Sequence, residues 1–101
     1  MTRRIIFHPA ARREYAAAIK HAERERPGRG QRLQTEVERT AARVAEAPEQ
    51  GSPYLYGTRR FVLLQFPYST VYVALVAGHI IALAHDRRRP GYWQKRLKSI
   101  H

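Results

Sequence analysis

Residues 79–93, His-Ile-Ile-Ala-Leu-Ala-His-Asp-Arg-Arg-Arg-Pro-Gly-Tyr-Trp, constrain the fold more than any other stretch. The segment opens as extended chain. Ile80, Ala82 and Ala84 fall on one side and Ile81, Leu83 and His85 on the other, following the two-residue period of a strand. Both sides are apolar, which predicts an interior strand covered on both faces. It runs directly into Arg87, Arg88 and Arg89, and Pro90-Gly91 ends it by removing a backbone donor and loosening the chain. Three arginines on the end of a buried strand have a rigid support, which suits a binding site better than a mobile tail would.

The rest of the chain is short: 101 residues suit one domain, taken as 1–101. With no cysteine, neither a disulfide framework nor a thiolate metal site is available. The five histidines are scattered without a pair at ligand spacing, so no metal or other cofactor is expected. Ile5-Ile6-Phe7 is the longest apolar run near the N-terminus, too short for a signal peptide. No window approaches the ~20 apolar residues of a membrane span. The expectation is a soluble, cytoplasmic protein with no membrane partner.

Charge is unevenly spread. The formal net charge is +11, but residues 1–50 carry eleven Lys/Arg against seven acids, while residues 51–101 carry eight against Asp86 alone. Mixed charge in the first half is what solvated helices usually show. The nearly pure cation of the second half should attract nucleic acid or an acidic protein.

Periodicity supplies the other elements. Arg3 to Phe7 reads as a short strand, stopped by His8-Pro9, with Pro9 fitting the first position of a helix. Ala11, Tyr15, Ala18, Ile19 and Ala22 then form one helical stripe, broken at Pro27-Gly28. A second helix from about Arg29 to Ala47 carries Leu33, Val37, Ala41 and Val44 on its stripe, and Pro48 terminates it. Pro48 to Gly57 reads as a loop with Tyr54, Leu55 and Tyr56 as anchors. Strands follow at Thr58–Phe66 and Ser69–Val76, and Ala77-Gly78 makes a tight turn into the strand at residues 79–86. The tail from Tyr92 to His101 reads as a short helix or a mobile end. The result is an α+β domain in the order β-α-α-β-β-β. An antiparallel helix hairpin packs on one face of a small, mainly antiparallel four-stranded sheet.

Several motifs, in order over nearly the whole chain, make it resemble the RelE/ParE toxins of type II toxin–antitoxin systems, in their ParE-like plasmid stabilisation branch. They are Phe7-His8-Pro9, Arg26-Pro27-Gly28, Ala47-Pro48-Glu49-Gln50-Gly51, Arg59-Arg60, Phe66-Pro67-Tyr68 with Val71-Tyr72, and His85 to Trp93. The resemblance implies a bacterial toxin that arrests growth when its cognate antitoxin, encoded by the adjacent gene, is lost. It also implies toxin–antitoxin hetero-oligomers. ParE-like members are associated with poisoning DNA gyrase, without an enzyme active site of their own. RelE-like members cleave mRNA in the ribosome.

The residues favour the first of these. Cutting RNA through its 2′-hydroxyl needs a base, an acid and cations for the phosphate. Were the chain a ribonuclease, His85, Arg87 and Tyr92 would be the catalytic candidates. Many RelE-like toxins, however, carry arginine after the tyrosine that opens the third strand, and here Tyr68 is followed by Ser69. Target binding is therefore expected from Arg59, Arg60, Arg87, Arg88, Arg89 and Trp93, and antitoxin binding from Tyr92, Trp93 and Arg87. Arg59 and Arg60 alternate faces, so at most one of them can join a given patch. Asp86 is expected to pair with a neighbouring arginine, and His85 to be a hydrogen-bonded histidine of the core or its rim.

Overall fold

The computed structural model describes residues 4–75 and 77–100. The sequence expectations for Arg3, Val76 and His101 lie outside these residues. The chain runs through β1 (Ile5–Phe7), α1 (Pro9–Glu25), α2 (Arg29–Glu46), β2 (Ser52–Pro53), β3 (Arg59–Val62), β4 (Tyr68–Ala74) and β5 (Gly78–His85), and closes with a 3₁₀ helix over Gln94–Ile100. Among the described residues, no helix is long and apolar enough to cross a membrane.

Both long helices follow their predicted stripes. Pro9 begins α1, and the His8 ring caps it by accepting from the Ala10 N–H at 3.0 Å. Ala11, Ala18 and Ala22 are buried, with Tyr15 and Ile19 packed alongside. Gly28 reverses the chain at φ +88°, a left-handed conformation that costs glycine nothing. The Glu23 carboxylate then takes the Gly28 and Gly30 N–H groups, each at 3.1 Å, and so supplies the cap that α2 lacks at its own first residue. α2 buries Leu33, Val37, Thr40 and Val44 against the sheet.

The sheet has the order β1-β5-β4-β3-β2, with β1 parallel to β5 and every other pair antiparallel. Five strands stand where four were expected. The added β2 is two residues long, pairs only with Arg59 and Arg60, and lies within the stretch read as a loop. β3 is shorter than Thr58–Phe66. Its chain turns away after Val62 because Glu36 on α2 accepts from the Leu64 and Gln65 N–H groups, both at 3.1 Å. The β2 loop is tied down from inside: the Tyr72 hydroxyl donates to Pro48 O at 2.6 Å and accepts from Gly51 N at 3.0 Å.

β5 is an interior strand, as its composition requires, but its faces do not alternate as predicted. Tyr72 is opposite Ile80 and Val71 is opposite Ala82, so Ile81 is the extra residue of a β-bulge. The bulge inverts the parity of everything after it. Ile80 and Leu83 both pack with the helix hairpin, while Ile81, Ala82 and Ala84 join Val71 on the opposite face. Trp93, Leu97 and Ile100 cover that second face, so the C-terminal segment is a structural layer of the fold.

Candidate functional site

The turn that leaves β5 is fixed by backbone bonds. Asp86 N donates to Pro67 O at 2.9 Å, and Arg88 N to His85 O at 3.0 Å. The Arg87 N–H goes to His85 Nδ1, also at 3.0 Å. A neutral ring accepting at Nδ1 carries its proton on Nε2. His85 is half-buried and sits edge-on to Tyr68, with ring centres 5.0 Å apart. Arg87, Arg88 and Arg89 are all exposed. Asp86, expected to pair with one of them, forms no ion pair among the described residues.

Beneath this turn lies a network centred on Glu14. Because β1 stops at Phe7, the last bond across that seam is His8 N to Ile80 O, and β5 beyond it has no strand on this side. Glu14 and Arg96 occupy the gap. Glu14 accepts from the Leu83 N–H at 3.2 Å, and Arg96 donates to Ile81 O at 3.0 Å. Arg96 also grips the Glu14 carboxylate with two bonds of 2.9 and 3.0 Å, a fork geometry that fixes both side chains. The Tyr92 hydroxyl completes the set, donating to Glu14 at 2.5 Å. Burial first, and then the hydrogen bond and charge of Glu14, push the Tyr92 pKa far above that of an ordinary phenol.

The arginine turn separates two concave regions. On the hairpin side, two adjoining clefts of about 330 Å³ each share Ala18, His21, Tyr68 and His85. Together they form a groove between α1 and the end of the sheet, with Arg24, Arg29, Arg87 and Arg88 among its lining residues. On the other face, a cleft of about 190 Å³ is lined by Tyr54, Arg60, Ser69, Arg88, Arg89 and Trp93, with Asp86 also on its wall. Two of its guanidiniums lie on aromatic rings, Arg60 at 4.1 Å from the Tyr54 centre and Arg88 at 3.9 Å from that of Tyr92. Such stacking holds a cation in place while leaving its N–H edge free for an anion.

Not every predicted residue lands there. Trp93 is only 1% exposed and supports the cleft from below instead of offering a contact surface. Arg59 turns to the hairpin side, where its guanidinium donates to Glu49 O at 3.0 Å and Gly51 O at 2.7 Å. It pins a loop, and Arg60 alone of that pair joins the patch. Arg87 lines one of the two hairpin-side clefts and Tyr92 the other, and the Tyr92 hydroxyl is engaged with Glu14. Sequence reasoning missed Glu14, although Ala11, Glu14, Ala18 and Ala22 share one helical spacing, and an acid inside a buried stripe is a signal. It also missed Arg96, whose partners lie 15 and 82 residues away. Among the described residues, no group of three or more His, Cys, Asp or Glu side chains is placed to hold a metal ion.

The profile of a family described as the ParE toxin of the type II toxin–antitoxin system parDE matches residues 5–90. A solved structure, the chromosomal ParDE toxin–antitoxin system from P. aeruginosa, superposes with a TM-score of 0.72 at 13% identity, covering 83% of this chain and 96% of that one. At that identity the likeness is one of fold. No curated protein matches.

Proposed function

Since the chain belongs to the ParE toxin family of type II toxin–antitoxin systems, we propose that it arrests growth by binding DNA gyrase and is neutralised by a cognate antitoxin. The observation that carries this reading is the state of the arginine face. Two of its cations, Arg60 and Arg88, are held on aromatic rings with their N–H edges free to bind. The one phenol that would serve a ribonuclease as acid is committed to Glu14 instead. A surface of that kind recognises and holds an anionic target; proton transfer needs a group free to give its proton up.

The antitoxin reading draws on the groove between α1 and the end of the sheet. Its floor includes Ala18, Ala22, Phe66, Tyr68 and Leu83, and four arginines line it against Glu14, Glu25 and Asp86. An amphipathic antitoxin segment would bury apolar residues on that floor and extend acids toward Arg29, Arg87 and Arg88. Covering these charges would also restrain the non-specific nucleic-acid binding that a +11 chain invites.

The test pairs two assays on induced cells and purified protein. Plasmid cleavage by gyrase should rise in the presence of the protein, with a DNA-damage response in the cell and an intact translated message by primer extension. Codon-phased cuts in the message with no effect on gyrase would overturn the proposal. They would assign the chain to the ribosome-dependent endoribonucleases, with His85, Arg87 and Tyr92 as catalytic candidates.

A further inference from the structure

Tyr56 is the one non-glycine residue with positive φ among those described, at φ +60° and ψ +35°. L side chains rarely adopt this conformation, and here it is not used to bury the ring, which is 55% exposed. The ring stands edge-on to Trp93 at 6.0 Å and packs against Gly91, where an added Cβ would come within 2.9 Å of it. Trp93 in turn forms a wall of the cleft that holds Arg60, Arg88 and Arg89. A left-handed backbone thus holds an exposed tyrosine against Trp93, which itself lines the cleft of two ring-stacked guanidiniums.

We propose that this face is a binding site for single-stranded nucleic acid, with a phosphodiester held by Arg60 and Arg88 and a base stacked on Tyr56. Every base has a π-face, so stacking on an exposed ring tolerates any sequence, while arginine edges track the backbone. An acidic peptide would use the arginines but has no need of a ring presented at the cost of backbone strain. Three arginines outnumber Asp86 on the cleft wall, so its net charge stays positive. The site binds without cutting, because the Tyr92 hydroxyl is held by Glu14. The inference does not depend on the gyrase reading, which is scored by plasmid cleavage and not by oligonucleotide affinity.

The test is fluorescence anisotropy of the full chain with labelled twelve-residue oligo-dT and oligo-rU over a range of salt. A poly-glutamate peptide serves as competitor. Binding of either oligonucleotide, uncut, is expected, and the tighter one names the source. Arg60→Ala and Arg88→Ala should each lower the slope of log affinity against log salt by about 0.7. Tyr56→Asn, which suits a left-handed backbone, should weaken binding by about 5- to 150-fold, the loss of one stacked base, without changing that slope. Tyr56→Phe should bind as the parent does, and near-ultraviolet circular dichroism should show all variants folded. Parent-like affinity in Tyr56→Asn would overturn the proposal. So would an equal slope change in Arg32→Ala on the distant face of α2, or equal competition by the peptide.

Discussion

Replacing Glu14 with alanine would leave the Tyr92 hydroxyl and the Leu83 N–H without this acceptor and the Arg96 guanidinium with only the Ile81 carbonyl. The cost should be about 3 kcal/mol, at the low end for breaking a buried pair because each side chain keeps 17% exposure. Urea unfolding reads this directly, and a loss below about 1 kcal/mol, typical of an exposed ion pair, would contradict it. Tyr92 carries a pH signature of the same network. Its folded pKa lies above the unfolded value of about 10, so the stability it contributes is full below that pH and is lost as pH rises beyond it. Tyr15, Tyr68 and Tyr72, raised first by burial, act in the same direction. Tyr92→Phe should therefore flatten the fall of unfolding free energy above about pH 10, and an unchanged slope would argue against the Glu14 bond. At this scale the sequence was only partly legible. The arginine cluster could be seen by composition, but a glutamate in a helix reads as solvated unless its place on the buried stripe is weighed. Trp93 looks like a surface hot spot until the C-terminal segment is known to fold over it.

β5 is the element that carries the arginines, and its packing sets how firmly they are held. Leu83 is 3% exposed within the hairpin core, so Leu83→Ala should cost roughly 2–5 kcal/mol through the cavity it leaves. For a domain of this size that lowers Tm by at least ~8 °C, and an unchanged melting temperature would contradict its burial. The helices are legible because each keeps one apolar stripe over about three turns. The bulge at Ile81 is not, since every residue around it is apolar and a one-residue slip leaves no mark on such a pattern. β2 escaped for a different reason: two residues, one of them proline, are too few to alternate. Periodicity overextends β3 because Leu63, Leu64 and Phe66 continue the apolar pattern, while the bonds that turn the chain come from Glu36, a residue on another element.

For the molecule as a whole, the division of labour follows the chain. The first half builds a hairpin of mixed charge, and the second half builds the sheet whose end concentrates the cations. Fold order and family were legible because they depend on periodicity and on motifs spread along the chain. Which arginines converge was not, because it depends on strand parity and on where the C-terminal segment returns. Under the proposed function, the exposed turn at Arg87 to Arg89 acts on the target while the framework beneath it serves stability. The most direct measurement replaces all three with alanine and records growth on induction, together with the Tm of the purified protein. None of the three arginine side chains hydrogen-bonds to Glu14 or belongs to the core clusters, and Arg88 meets the network only by stacking on Tyr92, so loss of toxicity is expected with a Tm within a few degrees of the parent. Growth arrest at undiminished strength, from equal amounts of folded protein, would contradict it.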